Sequence, residues 1–294
     1  MAEAFHAYRR ARSQRARTLN ALLIPLNGDY SIPLRRAPDV RQACTEAFGP
    51  AESGSVTSLR ALLGVIGAHE WRTKGIDIPE AGGRIHPHFG VFAPIRREYV
   101  DLVCAAPLPE GACGSSSVAF DVGTGTGVLA AVLARRGIPR LVATDLDERA
   151  LACARENIRQ LRLSDRVDVV AADLFPDGRA ALVVCNPPWI PARPSSSMEN
   201  GIYDHEGRML GGFLRALPDH LEPGGEGWLI LSDLAEHLGL RTREQLLAAF
   251  DAAGLRVVGR HDVTPRHPRA ADETDPLHVA RAAEITSLWR LAAR

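Results

Sequence analysis

The sequence predicts an α/β fold organised around a mostly parallel sheet, and three observations predict it. From residue 118 onward, short apolar runs rich in Val and Leu alternate with stretches at helical spacing, the pattern of successive strand–helix units. A glycine-rich turn, Gly123 to Gly127, joins the first of these runs to the first helix, the form a backbone takes where it must pass close to a ligand. Later runs end in polar side chains, Asp145 and Asn186, and in open α/β sheets ligands bind at the carboxyl ends of the strands.

Taken in order, residues 118–122 read as a buried strand, 128–136 as a helix, 141–145 as the next strand and 148–161 as a helix. Strands follow at 167–171 and 181–185, a helix at 210–221 and a strand at 228–232. Residues 242–253 form a helix with Thr242 as its N-cap and Gly254 as its stop. Two late β segments, 256–263 and 284–291, make a closing antiparallel pair. Upstream, residues 39–48 form a helix closed by Gly49 and Pro50. Residues 55–71 form another, with Val56, Leu59, Leu62, Leu63 and Ile66 at helical spacing. Residues 75–92 read as a hairpin around Gly82 and Gly83, 96–104 as a helix, and 107–117, rich in Pro, Gly and Ser, as a loop. The chain thus divides into a mainly helical accessory region (1–75), a hairpin with a connecting helix (76–117) and an α/β domain (118–294).

Composition narrows the function classes. The chain has 294 residues and no formal net charge. Residues 1–100 carry 14 Lys/Arg against 9 Asp/Glu. That mild asymmetry lacks the concentrated basic field of a strong nucleic-acid binder. The five cysteines (Cys44, Cys104, Cys113, Cys153, Cys185) form no Cys-x-x-Cys pair, so no zinc site is expected. Their odd number and the lack of a signal peptide suit the reducing cytoplasm. No apolar run approaches the roughly 20 residues needed to span a bilayer. Arg9, Arg10, Arg12, Arg15 and Arg17 near the start read as the solvated face of an amphipathic helix, although a transit peptide has a similar composition.

The glycine turn is Asp121-Val-Gly-Thr-Gly-Thr-Gly127. Dinucleotide enzymes use Gly-x-Gly-x-x-Gly. Here Val128 stands where their third glycine belongs, a spacing suited to a cofactor without a pyrophosphate. At the end of the next strand, Asp145 can accept hydrogen bonds from both ribose hydroxyls of an adenosyl group; Asp147 is the better helix cap. Past the third strand, Asp173 can accept from an adenine amino group while Leu174 packs on the ring. The fourth strand runs straight into Asn186, Pro187, Pro188 and Trp189. Two prolines fix the backbone and remove two donors. The Asn186 amide oxygen and the Pro187 carbonyl can then accept from a planar –NH2 lying on the Trp189 face. Holding such a nitrogen in line for displacement is a positioning effect.

With these residues in place, a resemblance becomes explicit. Residues from about 90 to 235 resemble the class I S-adenosylmethionine-dependent methyltransferases with an Asn-Pro-Pro-aromatic motif, and above all the release-factor glutamine N5-methyltransferase group. The shared residues are Asp121 to Gly127, Thr144-Asp145, the helix with Ala150, Ala154 and Asn157, Asp173-Leu-Phe, Asn186 to Pro191, Leu221 to Gly225, and the segment from Phe92 to Val100. The resemblance implies a Rossmann-like, mostly parallel seven-stranded sheet with helices on both faces. It implies that Asp121, Gly123, Thr124, Gly125, Thr126, Gly127, Asp145, Leu146, Asp173, Leu174 and Asn186 bind S-adenosylmethionine. It further implies that Asn186, Pro187, Pro188 and Trp189 hold the acceptor, with Asn186, Pro187 and Trp189 acting in catalysis. Two features depart from the group: Trp189 replaces its usual Tyr, and residues after Pro191, including Ser195, Ser196 and Ser197, do not match.

The acceptor is therefore expected to carry a planar amide or amine nitrogen, on a protein glutamine, a nucleobase or a small molecule. Two other classes compete: an NAD(P)-dependent oxidoreductase, disfavoured by Val128, and a non-catalytic protein on the same fold. His86 and His88 are a metal pair or packing residues. Asp204 or His205, within Tyr203 to Glu206, is either a proton acceptor or part of a polar surface loop. Arg266, His267 and Arg269 read as a solvated hairpin tip.

Overall fold

The computed structural model describes residues 1–194, 199, 201–266 and 271–294. Ser195 to Ser197, and His267 and Arg269 of the expected hairpin tip, lie outside the described residues.

The N-terminal region opens with helix α1 (Ala2–Asn20). Strand β1 (Leu23–Leu26) follows, then helix α2 (Arg41–Phe48). Next come strand β2 (Ser55–Ser58) and helix α3 (Leu59–Lys74). The expectation of one helix over 55–71 is corrected here: its first four residues pair antiparallel with β1, Leu26 opposite Ser55. The cause is Ser58, whose hydroxyl accepts from the Ala61 backbone N–H and starts the helix at Leu59. Val56, counted as an apolar helix position, is 61% exposed on the ribbon.

The expected hairpin is present but short, with β3 (Ile76–Ile78) paired to β4 (Gly83–Ile85) around a 3-10 turn at Pro79–Ala81. Helix α4 (Glu98–Ala105) follows. The α/β alternation then unfolds as β5 (Val118–Val122), α5 (Val128–Arg135), β6 (Arg140–Asp145), α6 (Glu148–Gln160), β7 (Val167–Ala171) and β8 (Ala180–Cys185). Helix α7 (Arg208–His220), β9 (Leu221–Ser232), α8 (Leu234–His237), α9 (Arg243–Ala252), β10 (Leu255–Val263), α10 (His278–Ala282) and β11 (Thr286–Ala293) complete the chain. Thr242 caps α9 in a reciprocal capping box with Gln245.

The large sheet has seven strands in the order β10-β11-β9-β8-β5-β6-β7. β9, β8, β5, β6 and β7 are parallel. β11 inserts antiparallel between β9 and β10, so the late pair closes the sheet with one reversed strand. Strand alternation divides the core. Ala119, Leu182, Val184, Trp228 and Ile230 pack with α4, α5 and the β3–β4 hairpin. Phe120, Val122, Val183, Leu229 and Leu231 pack with α7 and α9. Both faces are thus covered, the condition a parallel sheet requires.

Strand order also locates the site. β5 lies between β6 on one side and β8 on the other. The chain leaves β5 toward one edge and later returns on its other side, which opens a crevice at their carboxyl ends. Val122 and Cys185, the last residues of β5 and β8, are register partners. The glycine turn and Asn186 therefore emerge side by side.

Candidate active site

The two turns open into a cavity of about 450 Å³. Asp121 shapes its floor. Strand alternation points it to the face of α5, where it is 1% exposed. One carboxylate oxygen accepts from Thr124 Oγ1 at 2.7 Å and from the Ala130 backbone N–H at 3.0 Å, so it pins both the turn and the start of α5. Burial raises its pKa to about 6; these two hydrogen bonds oppose the rise and the nearby Asp145 adds to it.

The turn itself needs glycine. Gly123 and Gly127 have φ of +71° and +81°, left-handed values that cost little only without a Cβ. A Cβ on Gly123 would sit 2.5 Å from Met209 Cε of α7, and one on Gly127 would sit 3.3 Å from Ala154 Cα of α6. Asn157, fully buried on α6, donates to the Thr126 carbonyl at 3.0 Å and accepts from the His86 N–H at 2.8 Å. It ties the turn to the hairpin.

Asp145 faces the turn at the end of β6. One oxygen accepts from the Gly125 N–H and the other from the Asp147 N–H, each at 3.0 Å. Each carboxylate oxygen has a second lone pair, so two hydroxyls can still be accepted. Met209 lies over Gly123, but nothing lies within 4 Å of where a Cβ on Gly125 would sit, and a carboxylate beside that open part of the turn fits an adenosyl ligand. Asp121, Gly123, Thr124, Gly125, Thr126 and Asp145 line the cavity, and Gly127 closes the turn behind them as the residue before α5.

The structure does not bring three expected donor residues into the cavity wall. Leu146 is 65% exposed. Asp173 is exposed at the bend after β7. Leu174 adopts φ +74°, its carbonyl accepts from Thr144 Oγ1, and its side chain packs against Gly212 of α7 and the α7-side core. That backbone turn and packing set its side chain among the apolar residues on the α7 side of the sheet.

Asn186, Pro187, Pro188 and Trp189 line the opposite side. Trp189 Nε1 donates to Asn186 Oδ1 at 2.9 Å, so the indole acts on the amide as well as offering its face. Arg96 lies with its guanidinium carbon 5.9 Å from the Trp189 ring centroid. It is held by Glu284 at 3.1 Å, and Glu284 also accepts from Ser232 Oγ at 2.7 Å.

Several side chains prove to be structural. Both oxygens of buried Asp204 cap α7, accepting from the Met209 and Leu210 N–H groups at 3.0 Å. This corrects both expectations for Asp204, as a proton acceptor and as a surface residue; His205 beside it is exposed. His86 Nδ1 meets the Arg72 carbonyl and His88 Nε2 meets Glu156, each at 2.6 Å. Among the described residues no group of three His, Cys, Asp or Glu could hold a metal ion.

Sequence reasoning missed Phe5, Tyr8 and Arg12 of α1, which also line the cavity. Phe5 is 3% exposed and shares an apolar cluster with Ile190, Leu234, Leu238 and Leu277. Nothing in a lone polar helix marks the partner it folds against. Tyr99 and Met209 line the cavity too; Tyr99 lies in the segment from Phe92 to Val100.

A family model described as methyltransferase small domain matches residues 83–253. A ribosomal protein L11 methyltransferase of Chelativorans sp. (strain BNC1) is 35% identical over 144 residues, covering 47% of this chain and 41% of the relative. A release factor glutamine methyltransferase of Cereibacter sphaeroides is 32% identical over 151 residues, covering 46% and 51%. A tRNA1(Val) (adenine(37)-N6)-methyltransferase of Bacteroides thetaiotaomicron is 40% identical over 76 residues, covering 24% and 32%. The chain thus spans about a third to a half of these relatives' lengths. Among solved structures, a ribosomal protein L11 methylase from Lactobacillus delbrueckii subsp. bulgaricus aligns with a TM-score of 0.42 at 18% identity, covering 60% of this chain and 71% of that one. The chain belongs to the methyltransferase small domain family, whose methyl donor is S-adenosylmethionine.

Proposed function

We propose that the protein transfers a methyl group from S-adenosylmethionine to a planar amide or amine nitrogen held at Asn186 and Trp189. The observation that carries this reading is that the glycine turn, Asp145 and the Asn186–Trp189 run line one cavity at the switch point of the sheet. The donor, when bound, supplies an electrophilic methyl on sulfur. Asp145 holds the ribose hydroxyls and the open turn admits the rest of the donor. Asn186 Oδ1 and the Pro187 carbonyl accept from the acceptor's N–H groups and aim its lone pair. The carbon–nitrogen bond forms as the carbon–sulfur bond breaks, the electron pair stays on sulfur, and the nitrogen releases one proton to solvent. Positioning is the main catalytic contribution.

Relatives named for a protein glutamine and for a tRNA adenine support a nitrogen acceptor. In this reading residues 118–294 carry catalysis, while 1–75 and 76–117 are accessory. Leu146 and Asp173 remain rim positions for the adenine. The five free cysteines support a reducing, cytoplasmic setting. No described helix is long and apolar enough to cross a membrane.

Calorimetry with S-adenosylhomocysteine tests the reading. Binding by the wild type, weakened in Asp145→Ala, is expected. No binding, or tight NADH binding in its place, overturns it. Asn186→Ala is expected to keep S-adenosylhomocysteine and lose methyl transfer; unchanged biological activity in that variant would favour a non-catalytic role.

A further inference from the structure

Three consecutive side chains tie down the chain where it enters α4. Arg97 pairs with Glu80 at 3.0 Å, and Glu98 accepts from the Arg266 backbone N–H at 2.6 Å. Arg96 donates to Glu284 Oε1 at 3.1 Å. Of the three, Arg96 alone lines the cavity. Its anchor is built for a cation. Glu284 is 1% exposed, and a carboxylate buried so deeply is costly without a charged partner and hydrogen bonds. The same Oε1 atom accepts from Ser232 Oγ at 2.7 Å, and Ser232 Oγ accepts from the Leu234 N–H at 3.0 Å. Ser232 ends β9 and pairs with Thr286, the first residue of β11. The reversed strand therefore fixes where the Arg96 guanidinium stands.

That position is over the Trp189 ring, with the guanidinium carbon 5.9 Å from the centroid. A cation at this range is attracted by the negative face of an indole. Trp189 has a single N–H, and it donates to Asn186 Oδ1 at 2.9 Å. Ring density drawn toward the guanidinium leaves the N–H more polar and so a stronger donor. The contact over the face sets the plane of the ring, and the bond to Asn186 sets the direction of its N–H. An Arg–Glu pair that served the fold alone would not need to reach the indole, since Arg97 and Glu98 already hold the segment.

We propose that Arg96 is a positioning residue for methyl transfer: anchored on Glu284, its guanidinium holds the Trp189 indole with its N–H on Asn186 Oδ1, and so keeps that amide aimed at the acceptor nitrogen. The proposal rests on the methyl-transfer reading above and adds a residue to its acceptor side. Arg96 acts through Trp189 and takes no part in the bonds that form and break.

The test reads the indole N–H resonance of Trp189 by NMR in the full-length protein, assigned from its loss in Trp189→Phe. Arg96→Met, which keeps an apolar stem without charge, is expected to move that resonance upfield and speed its exchange with solvent. Arg96→Lys, still a cation that Glu284 can hold, should restore part of both. Arg96→Met combined with Glu284→Gln leaves no unpaired buried carboxylate and keeps an acceptor for Ser232, so it should fold and show the same shift. All three should bind S-adenosylhomocysteine as the wild type does. With saturating radiolabelled S-adenosylmethionine and whole-cell lysate as the source of acceptors, Arg96→Met and the double variant should transfer label about tenfold more slowly, and Arg96→Lys should lose less. An unmoved Trp189 resonance, a full transfer rate in the double variant, no rescue by Arg96→Lys, weakened S-adenosylhomocysteine binding or unfolding of the double variant would each overturn the proposal. Failure of the wild type to bind S-adenosylhomocysteine or to transfer label would instead overturn the reading beneath it.

Discussion

Trp189 donates its indole N–H to the side-chain oxygen of Asn186 at 2.9 Å. The bond fixes which end of the amide faces the acceptor, since only the oxygen can accept from an indole. It consumes one of the two lone pairs and leaves one for the acceptor nitrogen of the proposed reaction. A Tyr at this position has no donor at the same place on its ring. Trp189→Phe should therefore lower methyl transfer about tenfold with S-adenosylhomocysteine affinity unchanged. Transfer from labelled donor beside calorimetry measures both; equal loss of binding would place the defect in the fold.

Asp145 holds the turn through the Gly125 N–H and, in the proposed function, offers its remaining lone pairs to the donor. Asp145→Ala removes charge-assisted hydrogen bonds worth about 1.5–3 kcal/mol each. The expected result is at least a tenfold weaker affinity for S-adenosylhomocysteine, read by calorimetry. Asp145→Asn, which keeps an oxygen acceptor, should lose less.

Gly123 is constrained twice, by its left-handed backbone and by Met209. Gly123→Ala should destabilise the protein by about 1–3 kcal/mol and weaken S-adenosylhomocysteine binding. Pairing it with Met209→Ala removes the 2.5 Å clash and leaves the backbone penalty. Thermal unfolding of the single and double variants separates the two costs.

Asp121 makes stability depend on pH in a set direction. Its folded pKa, about 6, lies above the ordinary value of 3.8. The folded state therefore holds the proton more tightly, and the carboxyl's contribution is complete below about pH 3.8 and lost as pH rises through about 6. The span corresponds to roughly 3 kcal/mol. Asp121→Asn, which keeps an acceptor but does not titrate, should lack this component. The difference between wild-type and variant unfolding free energies across that range measures it, and parallel curves would refute it.

Much of the α/β half was legible because its signals are local. The turn from Gly123 to Gly127 requires left-handed backbone, Thr242 and Gln245 cap a helix, and apolar runs mark β5 and β8; each is set by residues within a few positions. Other features depend on partners distant in the chain. Ser55–Ser58 is a strand because Leu23–Leu26 lies beside it. Leu174 turns toward Gly212 because α7 packs there. Asp204 is a cap because α7 begins at Arg208.

A parallel α/β sheet with a glycine turn after one strand, an acid after the next, and Asn186 to Trp189 after the fourth follows from the order of residues alone. Periodicity, proline rigidity and glycine freedom act over a few residues, and so can be read along the chain. Three-dimensional packing added that Trp189 bonds Asn186, that Asp121 is buried against α5, and that α1 walls the cavity through Arg9 and Arg193, 184 residues apart. Those contacts depend on which apolar faces meet when the core forms, and burial between distant elements leaves no periodic trace in either.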